Sequence, residues 1–546
     1  MRRLPAFPLF SALFLIVCVA LSGCTGGTGA DAGASSPKAG GTVTYGIDTA
    51  PACFDIHASS ADMVAEIQRN VFDSLVSEDT GHTFHPWLAE SWTVAGDLKS
   101  YTFRLRHDVT FSDGTPFDAD AVKANFDHIV APATKSQYAK NLLGPYRGTE
   151  VLDPYTVRID FTQPFAPFLQ AASTAYLGFY SPKALAANAD KLCAGGPADV
   201  GSGPFLFSSY TKGQSIVLTR NPGYRWGPAN AAHTGPAYLD SLVFRVLPED
   251  STRVGALTSG QIDGAKSVPP LQVKTVEADS GVALLRMDQP GEPYGLYLNT
   301  SAAPLDDQRV RQAVQAGINV TQDVQAVYFG QYKQSWGPLS PTTPSYDPGV
   351  ENSRHYDPAK ASRLLDEAGW TARDAQGFRT KDGQRLSLFW PALPAASIRE
   401  QRALLDQAVQ ADLARIGIDA PHPNVTAAEY NQRVASGGFA LFTVSWARAE
   451  PDLLRLFFAS GSKPPAGDNV AHLADAQVDQ WTAAGASTTD QASRDGVYSQ
   501  VQRRVLELGA MVPLYVTAII DGFAKNVHGV AFDPNAWLLF YDAWKA

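Results

Sequence analysis

The chain has 546 residues, 45% of them apolar and 18% charged, with a formal net charge of −10. That apolar share describes an ordered globular protein, and the acidic balance, with no basic run anywhere, argues against nucleic acid as a ligand. The length exceeds the roughly 250–300 residues at which one hydrophobic core stops growing, so at least two lobes are expected.

At the N-terminus Arg2 and Arg3 precede an apolar stretch from Leu9 to Ala20. It falls short of the roughly 20 apolar residues of a membrane span, and residues 1–23 read as a secretory signal peptide. Leu21-Ser22-Gly23-Cys24 matches a lipobox, so Cys24 is the expected lipidation site, anchoring the chain to the cell membrane on its extracytoplasmic side. The alternative is an ordinary signal with a chance cysteine. Residues 24–41 are nearly all Gly, Ala, Ser and Thr and cannot bury enough surface to fold. As a flexible tether they reach roughly 20–25 Å. Cys18 leaves with the signal, so Cys53 and Cys193 are the pair left in the body. In an oxidising space they are candidate disulfide partners; the alternative is two separate buried thiols.

In the body, Gly41–Gly46 alternates as an opening strand. From Leu98 to Phe117, Tyr101, Phe103 and Leu105 share a face and Asp113-Gly114 supplies turn chemistry, which predicts a strand pair. Asp118 is the N-cap of a predicted helix whose Val122, Phe126 and Ile129 recur at helical spacing. Gly201–Gly227 reads as two strands joined at Lys212-Gly213. A second region opens near Tyr294 with a strand, and a helix is predicted over Asp307–Ala316. Asp357 as N-cap, Pro358 at the first helical position and Gly369 as stop bound another helix. A helix over Gln401–Arg415 leads to a buried strand over Phe439–Trp446. The chain closes with a helix over Gln491–Leu508 and a strand over Val512–Ile520. Strands alternating with helices on this scale predict α/β lobes.

No enzyme signature emerges. There is no G-x-S-x-G elbow and no phosphate-binding Gly-rich loop. Ser-x-x-Lys occurs at Ser209–Lys212 and Ser460–Lys463 without the companion Lys-Thr-Gly. His82 and His85 offer two nitrogens in an apparent turn and read as solvent-exposed histidines. No catalytic residue, cofactor or metal is expected.

Five blocks carry a resemblance. YTFRLRHDVTFSDGTPFDADAVKANF, GSGPFLFSSYTKGQSIVLTRNPGY, LNTSAAPLDDQRVRQAV, YDPAKASRLLDEAGW and VPLYVTAIIDGFAKNVHG follow in order. They resemble the large solute-binding proteins of peptide, opine and nickel ABC importers. The resemblance implies an α/β, two-lobed, hinged periplasmic-binding-protein fold of type II-like form, with an extra subdomain in the first lobe. The implied boundaries are 42–290 for the first lobe, with the subdomain at about 71–195, then 291–510 for the second lobe and 511–546 for the return to the first. It also implies a monomer that captures a peptide or peptide-like solute and delivers it to an ABC permease and its ATPase subunits. The alternatives are a binding lipoprotein used for sensing or signalling, or a binder of a nickel chelate, an opine or an oligosaccharide.

Family members that hold free peptides carry an Asp three positions after the buried Trp, where it pairs with the ligand's terminal amine. Here the run is Trp446-Ala447-Arg448-Ala449, so the matching position is Ala449. Glu450 and Asp452 are nearby substitutes, although Asp452 reads first as a helix N-cap. Arg448 is the candidate partner for a ligand carboxylate or phosphate, with an inter-lobe salt bridge as its alternative. Trp446 is a candidate for stacking. The dipeptide-binding members also use an arginine in the loop after the strand matching Leu386–Trp390, where this chain has Pro391-Ala392-Leu393-Pro394-Ala395-Ala396. Phe54, His57, Ser59 and Ser60 fall where members line the cleft.

Overall fold

The computed structural model describes residues 36–393 and 400–546. The signal stretch, Cys24, most of the tether and Pro394-Ala395-Ala396 lie outside the described residues. Residues 37–546 fold as one unit.

The first lobe is built on a seven-stranded mixed sheet. Its strand order is Val282–Asp288, Ala518–Ala524, Gly264–Ala265, Thr42–Ile47, Ser241–Val246, Ser215–Arg220, Phe205–Thr211. The opening strand lies near the centre, parallel to Ser241–Val246, with Val43, Tyr45 and Ile47 fully buried on alternating positions.

The subdomain is a four-stranded antiparallel sheet in the order Ala89–Val94, Ser100–Leu105, Thr156–Phe161, Tyr146–Asp153. Tyr101, Phe103 and Leu105 face a helix, Ala119–Val130, that contributes Val122, Phe126 and Ile129. Asp118 starts that helix by accepting the Ala121 N–H at 2.9 Å. The strand pair expected across Asp113-Gly114 is corrected: beyond Leu105 the chain makes only a Thr110–Pro116 bridge. Ser100–Leu105 instead pairs with Ala89–Val94 and Thr156–Phe161, which bury its apolar face in a wider sheet. The subdomain's apolar core takes in Phe179 and, from later in the chain, Tyr224, Trp226 and Trp537, whereas Tyr180, Leu185 and Leu192 pack on the first lobe.

The second lobe carries a four-stranded sheet ordered Lys333–Gln334, Met511–Val516, Gly291–Leu298, Leu441–Ala447. Helices Gln308–Gly317 and Pro358–Glu367 lie side by side against it, capped by Asp307 and Asp357.

Two strands cross between the lobes. Asp288 still pairs with Ala518 in the first-lobe sheet, and Gly291 already pairs with Ala447 in the second. On the return, Val516 pairs with Lys333 and Ala518 with Asp288. The expected single strand Val512–Ile520 is therefore two strands in two sheets, broken at Thr517. The return to the first lobe begins at 518 and not at 511, because 511–516 is hydrogen-bonded into the second lobe. The Gln289 N–H donates to the Thr517 carbonyl at 2.8 Å, tying the two crossings to each other. Two adjacent short crossings confine relative motion of the lobes to a hinge at these few residues.

Candidate ligand-binding cleft

The strand Leu441–Ala447 delivers Trp446 and Arg448 to the hinge. It runs antiparallel to Gly291–Leu298, so Arg448 emerges beside Gly291 and donates its N–H to the Pro290 carbonyl at 3.3 Å. Gly291 has φ +94°, and a Cβ there would lie 2.3 Å from the Trp446 carbonyl oxygen and 2.6 Å from the Arg448 nitrogen. Only glycine lets the two chains approach this closely.

From there the Arg448 side chain crosses to the first lobe. Its Nη1 lies 3.0 Å from Asp62 Oδ1, and its Nε donates to the Tyr138 hydroxyl. The guanidinium carbon is 4.0 Å from the Tyr138 ring centre, 5.1 Å from those of Tyr176 and Trp537, and 5.6 Å from that of Trp446. Aromatic faces on several sides stabilise the cation by their quadrupoles and exclude water. The side chain is 2% exposed, against 43% for Asp62. The structure therefore realises the inter-lobe salt bridge for Arg448. Its Nη2 and the Nε1 of Trp446 and Trp537 are nevertheless buried donors without a hydrogen-bond partner, as is the Tyr176 hydroxyl. Four unmatched groups in an aromatic box favour a ligand group rich in acceptors.

The neighbouring positions are spoken for by the protein. The Ala449 N–H donates to Asn535 Oδ1 at 3.1 Å. Glu450 forms an ion pair with Arg494, and burial raises its pKa. Asp452 stands at the N-cap position but makes no capping hydrogen bond, which corrects that expectation. Its backbone is already helical (φ −64°, ψ −6°), and its carboxylate turns to Arg455 at 2.7 Å and to the Tyr498 hydroxyl at 3.2 Å. Even so, Arg448, Glu450 and Asp452 line one narrow recess with Tyr138 and Gln170, between the second lobe and the subdomain.

The N-terminal candidates divide. Phe54 is fully buried against Phe207 and Tyr210 and belongs to the first-lobe core, a correction. His57 is also fully buried. Its Nε2 lies 3.0 Å from the Gly178 carbonyl, which makes Nε2 the protonated nitrogen and leaves Nδ1 to accept from His128 Nδ1 at 3.0 Å. Burial pushes its pKa down to about 4, so the neutral ring is a structural tie and not a ligand contact. Ser59 Oγ accepts the Ala61 N–H at 3.3 Å, and Ser60 Oγ donates to Gln137 Oε1 at 3.1 Å. These serines shape and join the segments that present Asp62 and Tyr138. They position the cleft wall without facing Arg448 themselves.

Cys53 and Cys193 are joined by a disulfide, and the Phe54 N–H donates to the Cys193 carbonyl at 3.1 Å. The link fastens the start of the segment that leads to Asp62. His82 and His85 are not solvent-exposed: both are half-buried, 2.9 Å from Glu78 and 2.7 Å from Asp79. Among the described residues no group of three or more His, Cys, Asp or Glu is arranged to hold a metal.

Sequence reading missed Asp62, Tyr138, Tyr176 and Trp537. Asp62 reads locally as an acid in the first turn of the helix Asp62–Gln68, and Tyr138 precedes a five-residue helix. Neither context signals a partner more than 300 residues away.

The sequence model of the bacterial extracellular solute-binding proteins, family 5, matches residues 83–467. The glutathione-binding protein GsiB of Escherichia coli strain K12 is 29% identical over 491 residues, covering 87% of this chain and 89% of its own. Among solved structures, NikA from Brucella suis in complex with Fe(III)-EDTA superposes with a TM-score of 0.80 at 27% identity, covering 93% of this chain and 100% of that one. The ABC transporter-associated periplasmic binding protein DppA from Helicobacter pylori, in complex with the peptide STSA, gives 0.78 at 25% identity, covering 93% and 98%.

Proposed function

The chain belongs to family 5 of the bacterial extracellular solute-binding proteins, and from that premise we propose that it takes up a peptide-like solute carrying a carboxylate and delivers it to the permease of an ABC importer. The observation that carries this reading is Arg448. It is a buried arginine of the second lobe, boxed by aromatic rings and held to the first lobe by Asp62, with one nitrogen still unmatched. A solute carboxylate bound there engages both lobes at once, and its free energy of binding shifts the hinge towards the closed state. Opening at the permease forfeits those contacts and releases the solute.

Ala449 places no carboxylate where a free peptide amine would need one, and Glu450 and Asp452 are paired with Arg494 and Arg455. This favours a peptide whose N-terminus is blocked or whose backbone is modified. Glutathione, which the GsiB relatives bind by name, has a γ-linked backbone and two carboxylates, and it is the first probe to try. In this reading the protein is a monomer and a binder without turnover, held at the membrane by lipid on Cys24 while residues 24–41 let the body reach the permease. Calorimetric titration with glutathione and with N-acetylated and free tripeptides tests the reading. Preference for the free, unmodified peptides would overturn it.

A further inference from the structure

A second recess of about 120 Å³, open to solvent, lies in the first lobe. Its walls are the strand Val76–Glu78, the 224–231 loop and the C-terminal segment 529–542, and no residue lining it comes from the second lobe. The recess nevertheless borders the second lobe, because Asn535 in its wall accepts the Ala449 N–H at 3.1 Å.

The recess is acidic. Three carboxyl groups line it, Glu78, Asp533 and Asp542, against one guanidinium, Arg69. Arg69 is already engaged: it lies 5.0 Å over the Trp87 ring and donates to the Ser74 hydroxyl at 2.8 Å and the Ser173 carbonyl at 2.6 Å. Asp533 is fixed by the N–H groups of Asn535 and Trp537, at 2.8 and 2.9 Å. Glu78 is 8% exposed and already pairs with His82 at 2.9 Å. Burial with too little compensating charge pushes the pKa of Glu78 up to about 7 and that of Asp533 up to about 6. His82 pulls the first down while Glu450 and Asp533 raise it, and the Trp537 N–H, Arg69 and Asn535 pull the second down. Two carboxyls lining one recess with the rings of Trp87 and Tyr541 suit a ligand that brings positive charge and an apolar stem.

We propose that this recess is a second solute site, apart from the aromatic box of Arg448, for a small organic cation whose primary ammonium group is held by Glu78 and Asp533.

The experiment is calorimetric titration of the full mature protein with putrescine, in two buffers of different ionisation heat near pH 6.5. Expected are saturable binding, release of protons as the ammonium draws both carboxyls into their charged form, and at least tenfold weaker binding in Glu78→Gln. Ala531→Trp fills the recess from an exposed lining position and abolishes binding, with its fold checked by melting temperature. Arg448→Ala leaves putrescine binding unchanged. No binding by the wild type, undiminished binding in a folded Ala531→Trp, or loss of binding in Arg448→Ala would each overturn the proposal.

Discussion

Arg448 and Asp62 stand 386 residues apart in sequence and 3.0 Å apart in space, one on each side of the hinge. Because Arg448 is buried and Asp62 is partly open to water, the pair is unequal: the arginine depends on the contact more than the aspartate does. Arg448→Ala is expected to weaken binding of a carboxylate-bearing peptide at least tenfold. Asp62→Asn should weaken it less, since the ligand carboxylate then replaces the lost partner. Calorimetry on the two variants and their double mutant measures the coupling; equal losses in both singles would show that the carboxylate does not meet Arg448.

Gly291→Ala tests the hinge. The new methyl group meets the Trp446 carbonyl at 2.3 Å, at a φ that L-residues rarely adopt, and both effects act where the lobes join. The variant should lose on the order of 2 kcal/mol or more of stability, with weaker solute binding and a changed radius of gyration by small-angle scattering. Wild-type affinity and dimensions would show that the crossing tolerates a wider separation.

His57 supplies a pH test. Its pKa falls from the usual 6.5 to about 4 on burial. The unfolded chain therefore binds the proton more tightly across that window, and the contribution is full above pH 6.5 and lost as pH falls towards 4. Glu66, Asp73 and Glu78 act in the opposite sense, since burial raises each to about 7 and their contribution is lost as pH rises. Only a difference isolates the histidine: the gap in melting temperature between wild type and His57→Asn should narrow from pH 7 to pH 4. A constant gap would place the charged form of His57 in the fold.

The Cys53–Cys193 link closes a loop with a sequence separation of 140. Loop entropy alone gives a cross-link of this span about 5 kcal/mol. The exported protein should show no free thiol before reduction, and reductant should lower its melting temperature by several degrees. Two titratable thiols without reductant would contradict the bond.

Local chemistry made much of the fold legible. Asp118, Asp307 and Asp357 each bond their own helix N-terminus, as cap residues announce. The break at Thr517 was not legible, because Met511–Val516 and Ala518–Ile520 form one apolar run and nothing in it marks a change of sheet. The cleft was half legible. Arg448 and Trp446 stand at the end of a recognisable strand, but the partners that give Arg448 its meaning come from distant segments. Phe54 and His57 misled for a related reason: their segment borders the cleft, yet its backbone turns these two side chains inward and leaves Asp62 to face the second lobe.

The most direct test of the central claim is mass spectrometry of whatever solute remains with the protein when it is purified gently, in wild type and in Arg448→Ala. The account predicts a peptide-like compound with at least one carboxylate in the wild type and its loss from the variant. A co-purified solute with no anionic group, or an equal load in both proteins, would contradict it.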